Sequence, residues 1–557
     1  MPFARRTALG AAMTIGVLVG MLGVVAPRAG AEQGSSATHR VAAARLAAGG
    51  PHTCAILDGG TVRCWGSGGN GQLGTGSEAD VGDNETPAAV GPVNLGAGRT
   101  ARAVAAGVSH TCAILDNRTL RCWGENLTGQ LGYANSNEIG DDETPGSVGP
   151  VDLGAGRTAR AIAAGAYHTC AILDNGAVRC WGNNQFGQLG YGHTAAIGVD
   201  ETPGSVDPVN LGAGRTAVAI SAGTNHTCAV LDNGAVRCWG AGTGGQLGYG
   251  DTADIGDDET PASAGPVNLG AGRTAVAVAA GEIHTCAILD NGAVRCWGWG
   301  ASGRLGYANT TDIGDDECPA VAGPIQLGAG RTAVAITAGA AHTCAILDNG
   351  SLRCWGDGGS GRLGYASSAK IGDNETPVAP GTVNLGAGRT AVAVDAGAFH
   401  TCAVLDDGRV RCWGAGANGR LGGGNTDDIG DNETPAAIQP VDAGNGAVSS
   451  RATTTLFLAA TPARDTTSPY TFTLTGIASG AFIRDKATCT GSVVLRLKQG
   501  TSTRVSKTTA LKLTGTSCTY TAALAITTKG TYAATATYGG GTNLRPATAP
   551  ARTVRAG

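Results

Sequence analysis

A repeat of 58 residues dominates this sequence. The tripeptide His-Thr-Cys starts at seven positions separated by equal intervals of 58 residues: His52, His110, His168, His226, His284, His342 and His400. Each copy contains a segment like residues 168–182, which read HTCAILDNGAVRCWG, followed by Gly-Gln-Leu-Gly or Gly-Arg-Leu-Gly, an acidic loop and a Pro-containing strand. Such self-similarity indicates one small structural unit whose neighbours cover its apolar faces. The unit shows short β-runs separated by Gly, Asn, Asp and Pro, so we predict strands and turns.

The paired cysteines of each copy fit a β-hairpin. In the third copy the loop Asp174-Asn175-Gly176 has three residues with glycine last, which suits a type I turn ending in a left-handed residue. This register places Cys170 opposite Cys180, within reach of a disulfide. We therefore predict one disulfide within every copy: Cys54–Cys64, Cys112–Cys122, Cys170–Cys180, Cys228–Cys238, Cys286–Cys296, Cys344–Cys354 and Cys402–Cys412.

Both faces of the predicted hairpin are apolar, so each sheet has to lie between two similar sheets. Seven sheets arranged radially make a β-propeller, which leaves only short, protected edges. A linear stack is the alternative, but it needs polar capping repeats, and the first and last copies keep the common pattern. A strand-like segment at 41–49 precedes the first His-Thr-Cys, and the last copy stops after Val441. We expect this N-terminal strand to complete the last blade and close the ring.

The repeated pattern, from Ala-Gly-x-x-His-Thr to Trp-Gly and Gly-x-Leu-Gly, resembles the RCC1 repeat (regulator of chromosome condensation). The resemblance covers all seven copies and implies a seven-bladed propeller. The eukaryotic namesake of the family exchanges nucleotide on a small nuclear GTPase and binds chromatin, whereas its exported bacterial relatives include a β-lactamase-inhibitory protein. The cysteine pair in every hairpin departs from the family pattern and fits export. No functional residue of the family can be transferred, because the matching positions are structural ones.

The chain is predicted to have four segments. Residues 1–31 resemble a secretory signal, with Arg5 and Arg6, an apolar stretch at 7–26 and a small-residue cleavage site at 29–31; an uncleaved anchor is the alternative. Residues 32–40 form a linker, and the seven repeats occupy 41–448. Residues 451–557 are Thr-rich with alternating apolar positions, which predicts an immunoglobulin-like β-sandwich containing a Cys489–Cys518 disulfide. The predicted fold class is therefore all-β, a seven-bladed propeller followed by a β-sandwich.

Charge and motifs argue against several function classes. With 39 basic and 43 acidic residues, a nucleic-acid binder is disfavoured. We expect no catalytic site, metal or cofactor, because disulfide-bonded cysteines provide no ligands and the acidic loops lack the spacing of a known calcium loop. Turn formation and pairing with recurring arginines such as Arg237 explain those loops as well. Cys318 is left over if all other pairs form, as a free thiol or an intermolecular link.

The differences between copies indicate where function lies. Two sites vary most, the dipeptide before His-Thr-Cys and the tetrapeptide after Trp-Gly, and in a hairpin both must lie at the same end. We predict that this end binds a partner through Tyr167, Phe186, Asn225, Ile283, Trp299 and Phe399, because exposed aromatic residues on a rigid platform form binding hot spots. Arg304, Arg362 and Arg420 replace Gln in the last three copies and predict a more basic arc.

These observations predict a secreted, non-enzymatic recognition protein, either free or associated with the cell surface, that is a monomer without an integral membrane segment once the signal is removed. Its partner is an unidentified protein or glycan rather than a nucleic acid. An inhibitor of an extracellular enzyme and a structural or adhesion protein of the cell surface are the alternatives.

Overall fold

The computed structural model describes residues 45–444 and, nearer the C-terminus, strands between Thr455 and Ala556. In residues 45–444 it contains seven three-stranded antiparallel sheets, one for each copy of the repeat, which we call blades 1 to 7. The first strand of each blade is the inner strand: Leu46–Ala48, Ala101–Ala106, Ala159–Ala164, Ala217–Ala222, Ala275–Ala280, Ala333–Ala338 and Ala391–Ala396. The middle strands are His52–Ile56, His110–Leu115, His168–Leu173, His226–Leu231, His284–Leu289, His342–Leu347 and His400–Leu405. The outer strands are Val62–Gly66, Leu120–Gly124, Val178–Gly182, Val236–Gly240, Val294–Gly298, Leu352–Gly356 and Val410–Gly414.

The predicted hairpin register is confirmed in every blade. In blade 3, Cys170 lies opposite Cys180, and their Cα atoms are 4.0 Å apart in a disulfide. The turn places Gly176 at φ 83°, and its N–H donates to the Leu173 carbonyl. The other six predicted within-copy disulfides are present as well. Cys318 is free and partly buried.

A fourth segment extends the outer edge of each blade. In blade 1 the Val93 N–H donates to the Val62 carbonyl, and the equivalent bond recurs in all seven blades. The arginine of the outer strand, Arg63 in blade 1, donates to the Pro87 and Val90 carbonyls of the turn before this segment. The recurring arginines therefore bind backbone carbonyls. Their predicted pairing with the acidic loops is wrong, because Nη1 of each donates to carbonyls of the turn and none of the ion pairs among the described residues joins one of these arginines to an acidic loop.

The ring closes by hydrogen bonds between blade 7 and blade 1. The Ala398 N–H donates to the Gly49 carbonyl, and the Ala88 N–H donates to the Asp442 carbonyl. The prediction that the N-terminal strand completes the last blade is wrong, because Leu46–Ala48 pairs with the middle strand of blade 1. Each blade is thus built from one continuous stretch of chain, and side-chain and backbone contacts between blades join the two ends of the ring.

The core repeats with the sequence. All seven tryptophans of the Cys-Trp-Gly motif are fully buried: Trp65, Trp123, Trp181, Trp239, Trp297, Trp355 and Trp413. Nearly every residue of the middle and outer strands is buried on both faces. This agrees with the prediction that each hairpin lies between two others, and it makes the blades a rigid platform at the level of the backbone.

Short helical turns and a second set of strands complete the described structure. The turns are Pro87–Ala89, Pro203–Ser205, Ala301–Gly303, Gly359–Gly361, Ala417–Gly419 and Pro435–Ala437, with one α-helical turn at Pro319–Ala322. The strands nearer the C-terminus form two sheets, of which the first contains Thr455–Leu456, Ala459–Thr461, Tyr470–Ser479, Lys512–Thr514 and Ser517–Ile526. The second contains Arg464–Asp465, Ser492–Gln499, Ser502–Ala510, Gly530–Tyr538, Ala547–Thr548 and Arg552–Ala556. The predicted signal, the linker and Cys489 lie outside the described residues, so the Cys489–Cys518 pair stays a prediction.

Candidate partner-binding face

The two variable sites of the repeat lie side by side at one end of each blade. In blade 5 the Trp299 N–H donates to the Ile283 carbonyl at 2.9 Å, and in blade 7 the Ala415 N–H donates to the Phe399 carbonyl at 2.9 Å. The same bond joins the residue after Trp-Gly to the residue before His-Thr-Cys in the other blades. We call the surface formed by these two sites in all blades the variable face.

Buried histidines join each blade to the next just beneath the variable face. The His52 Nε2 atom lies 2.8 Å from Thr111 Oγ1 of blade 2, and Thr111 Oγ1 donates to the Gln72 carbonyl at 2.9 Å. Because the hydroxyl proton is used by that carbonyl, His52 Nε2 must carry the proton that Thr111 accepts. Equivalent His–Thr pairs run around the whole ring and end with His400 and Thr53.

Burial keeps these seven histidines neutral. It lowers the pKa of His52, His168 and His400 to about 3, and that of His110 and His226 to about 4. It also lowers the pKa of His284 and His342 well below the usual value. The glycine before each variable dipeptide allows the close approach of the ring, since a Cβ on Gly107 would lie 2.3 Å from His110 Cε1. The histidines are therefore structural joints between neighbouring blades.

The aromatic residues predicted to bind a partner lie on the variable face. Tyr167, Trp299 and Phe399 are 40%, 42% and 48% exposed. Phe186, Asn225 and Ile283 are only partly exposed. Trp299 is the only tryptophan outside the buried motif. Leu127, in the variable tetrapeptide of blade 2, is 68% exposed and was not among the predicted residues.

The arginines of the last three copies do not make the variable face basic. Arg304, Arg362 and Arg420 are only 3%, 7% and 7% exposed, and each donates its Nε–H to the carbonyl three residues earlier. The guanidinium carbon of Arg304 lies 4.5 Å from the centre of the Trp299 ring, and that of Arg362 lies 5.3 Å from the Phe399 ring. These arginines therefore support the two aromatic rings from beneath.

The acidic loops form tight turns. The Gly82 and Gly256 N–H groups donate to the carboxylates of Glu85 and Glu259. In three copies the carboxylates converge to within 4.8 Å: Asp141–Asp142–Glu143, Asp257–Asp258–Glu259 and Asp315–Asp316–Glu317. Burial, with the neighbouring Asp142, raises the pKa of Glu143 to about 7. Exposed acidic turns of this kind are not sufficient for a metal site.

A funnel opens at the centre of the variable face. Its volume is about 110 Å³, and it is lined by the ends of all seven inner strands at residues 48–50, 106–108, 164–166, 222–224, 280–282, 338–340 and 396–398. The lining consists of Ala, Gly, Val and Thr together with Glu282, which is exposed. The seven inner strands therefore surround one central channel.

Asp395 lies one residue below this lining. Its Oδ2 accepts the Ala48 N–H of blade 1 at 2.9 Å, and its Oδ1 accepts the Thr337 hydroxyl of blade 6 at 2.9 Å. Burial raises the pKa of the Asp395 carboxyl to about 6 against the opposing effect of these hydrogen bonds. Sequence reasoning missed this residue, although the signal was present, since the other six copies have Ala, Ser or Thr at this position.

Comparisons with known proteins identify the family. The family model described as "RCC1-like domain" matches residues 20–320, and that of the "Regulator of chromosome condensation (RCC1) repeat" matches residues 333–362 and 391–420. This chain belongs to the RCC1-like family. The match to this family is in line with the seven three-stranded blades and confirms the resemblance drawn from the repeat.

Relatives of this RCC1-like chain include the ultraviolet-B receptor UVR8 of Arabidopsis thaliana, which is 32% identical over 69% of this chain and 79% of its own length. The human E3 ubiquitin-protein ligase HERC2 is 27% identical over 68% of this chain, which spans only 7% of that protein. Among solved structures, human WBSCR16 is similar with a TM-score of 0.53 and 21% identity, over 65% of this chain and 86% of its own. That structural likeness supports the fold alone.

Within the stretches of chain that the structure describes, none of the helices has the length and apolar character to span a membrane.

Proposed function

We propose that this RCC1-like chain is an exported bacterial recognition protein that binds a protein or glycan partner with its variable face, without catalysis. The observation that carries this proposal is the position of Tyr167, Trp299 and Phe399. The seven tryptophans of the repeat are buried, whereas these three non-repeating aromatic side chains are 40–48% exposed on one rigid face. Aromatic side chains that are held in place and partly exposed are typical of interface hot spots.

The arginines beneath the Trp299 and Phe399 rings favour a recognition surface over a surface whose loops simply tolerate any side chain. Arg304 and Arg362 give up solvent contact to lie against Trp299 and Phe399, so both rings are oriented before a partner arrives. Pre-organised side chains lose less conformational entropy on binding. Seven disulfides in the blades are typical of an oxidising compartment, which supports export directed by residues 1–31. In this proposal the chain acts as a monomer, and residues 451–557 form an immunoglobulin-like spacer.

The test is capture followed by measured affinity. The intact secreted chain is immobilised, partners are captured from culture supernatant and cell-wall fractions, and binding of each purified partner is measured by calorimetry. Replacing Trp299 or Phe399 with Ala is expected to weaken binding by about 2 kcal/mol, roughly thirtyfold.

The control is Val321→Ala, which truncates a residue that is 72% exposed outside both variable sites and is expected to leave affinity unchanged. Equal affinity of all three variants and the wild type would overturn the proposal. Capture of one soluble extracellular enzyme would identify an inhibitor, and retention on the cell wall independent of these residues would indicate a structural protein. N-terminal sequencing of the secreted chain checks cleavage after Ala31.

A further inference from the structure

We propose that the central funnel of the variable face is a binding site for a lysine side chain presented by a partner protein. The ammonium group would lie at Asp395 and Glu282, and the aliphatic stem would lie against the alanine and glycine lining. This inference rests on the proposed function, because it assigns a ligand chemistry to the centre of the same face.

The charge of the funnel favours a cation. Glu282 is the one ionisable side chain among the described residues that line the opening. Directly below, the Asp395 carboxylate contacts the Ala48 N–H and the Thr337 hydroxyl. Both contacts are neutral groups, so they stabilise the carboxylate only in part and neither supplies a countercharge to a group that burial disfavours. An ammonium ion that enters the funnel would supply the missing countercharge.

Asp395 is accessible from the funnel. The Gly49 N–H donates to the His52 carbonyl of the neighbouring strand, so the N–H of the preceding residue, Ala48, points to the open edge of the inner strand and into the channel. The carboxylate that accepts this N–H therefore lies at the channel wall, and Asp395 is a half-buried rather than a fully buried residue. Ala396 belongs to the funnel lining, and one residue along a strand corresponds to about 3.3 Å.

The lining suits the stem of a lysine. Residues such as Ala106, Ala164 and Ala222 offer methyl groups and leave the opening without bulky side chains. Lysine buries its apolar stem along such a surface while its head group reaches a polar partner. The surrounding rings of Tyr167, Trp299 and Phe399 would contact the partner around the inserted side chain, so one projecting residue would fix its position on the face.

The hydrogen bonds of Asp395 favour lysine over arginine. Each of its two carboxylate oxygens already accepts one donor, from Ala48 and from Thr337. A guanidinium group binds best as a two-pronged fork on both oxygens of a free carboxylate. An ammonium group acts as a compact charge with rotatable donors and needs only one accessible oxygen.

The experiment uses the full chain with alanine methyl groups labelled with ¹³C, observed by NMR. The probe is the peptide acetyl-Gly-Lys-Gly-amide at neutral pH. Three comparison ligands are the same peptide with an acetylated lysine side chain, the same peptide with arginine, and ammonium chloride. The lysine peptide is expected to shift the methyl signals of the alanines lining the funnel in a saturable manner, and the comparison ligands are expected to bind at least about tenfold more weakly.

The repeat itself supplies the matched variant, Asp395→Thr. In blade 6 the equivalent Thr337 accepts the Ala396 N–H at 3.1 Å, so threonine offers the same kind of acceptor to the Ala48 N–H without a negative charge. Asp395→Thr is expected to reduce affinity for the lysine peptide at least about tenfold, and Glu282→Gln by a smaller factor. Unchanged circular dichroism and a cooperative thermal unfolding transition verify the fold of both variants.

Several results would overturn the inference. These are no shift with the lysine peptide, equal binding of the acetylated or arginine peptide, equal shifts with ammonium chloride alone, or full binding to Asp395→Thr. If the lysine peptide does not bind while Trp299→Ala still weakens binding of a captured partner, the proposed lysine site is wrong and the proposed function stands. If the lysine peptide binds while the aromatic variants keep full affinity for the partner, the proposed function fails instead.

Discussion

Acid should unfold this propeller through its ring of buried histidines. Each of the seven histidines is neutral and inaccessible in the folded chain. Burial lowers the pKa of five of them to between about 3 and about 4 and the pKa of His284 and His342 well below the usual value. In the unfolded chain the pKa returns to about 6.5. Between these limits the unfolded chain binds more protons than the folded chain, so stability falls as the pH falls.

The size of this loss of stability follows from the same pKa values. Lowering the pH from 7 to 5 costs each such histidine about 2 kcal/mol of folding free energy, or about 13 kcal/mol for seven. Asp395 acts in the opposite direction, because its pKa of about 6 stabilises the protonated folded state by about 1 kcal/mol over this interval. The raised pKa values of Glu143 and Glu317 also oppose the effect, but solvent screens these partly exposed groups. The net loss is on the order of 10 kcal/mol, comparable to the whole stability of a typical domain.

The assay is denaturant unfolding of the oxidised chain at several pH values between 7.5 and 5, followed by the fluorescence of the buried tryptophans. The slope of the unfolding free energy against pH counts the protons bound on unfolding. It should approach about six near pH 5, because the seven histidines of the unfolded chain bind about seven protons and the folded chain holds about one more at Asp395. His168→Gln is the matched variant, since its amide can still donate to Thr227, and its slope should be lower by about one proton. A chain that keeps its stability between pH 7 and pH 5 would refute this account of the ring.

Three further changes test other regions of the fold. Arg118 occupies the glycine position of the blade 2 turn at φ 67°. Arg118→Gly should therefore raise the unfolding free energy by about 1 kcal/mol in denaturant titrations. Equal stability of the variant and the wild type would mean that this turn is unstrained. The double variant Cys170→Ala, Cys180→Ala should lose about 2–3 kcal/mol of unfolding free energy. Mass spectrometry of unreduced wild-type peptides should find only within-blade disulfides. Disulfides between blades would contradict the hairpin register. Asp395→Ala leaves the Ala48 N–H and the Thr337 hydroxyl without an acceptor, so the unfolding free energy should fall by about 1–3 kcal/mol in chemical unfolding. Asp395→Thr should lower the unfolding free energy by less. The opposite order would mean that the hydrogen bonds of Asp395 do not stabilise the closed ring.

The repeated region of this structure was predictable because each copy restates the same local constraints. A three-residue turn ending in glycine fixes the register, and that register alone sets Cys170 opposite Cys180. Apolar residues on both faces of the hairpin then require neighbouring sheets on both sides. The predicted strand pairing at the closure of the ring was wrong, because sequence spacing does not reveal with which middle strand the segment at Leu46 pairs. The partners of Arg63 were also missed, because backbone carbonyls carry no sequence signal.

The variable face was predictable in position but not in electrostatics. Hairpin topology alone places Ile283 beside Trp299, and the structure agrees. Whether the charge of Arg304 makes the face basic, however, depends on whether its guanidinium reaches solvent. Only the three-dimensional loop shows that it turns back to a carbonyl and a ring. Residue type therefore predicts chemistry reliably only where the exposure of the side chain is known.

Asp395 shows how a deviation from the repeat can carry more information than the repeat. Inner-strand N–H groups point into the channel, and in three blades a side chain of the preceding blade accepts one: Ser221, Thr337 and Asp395. A hydroxyl is sufficient for that bond, as Ser221 and Thr337 demonstrate, so closure of the ring does not explain why the residue facing blade 1 is charged. A carboxylate beneath an opening lined by small apolar residues has a desolvation cost that a threonine would avoid. The hydrogen bonds from Ala48 and Thr337 offset this cost only in part, and a cation that reached the site would offset more of it. For this reason the proposed lysine site assigns the charge of Asp395 to binding rather than to folding.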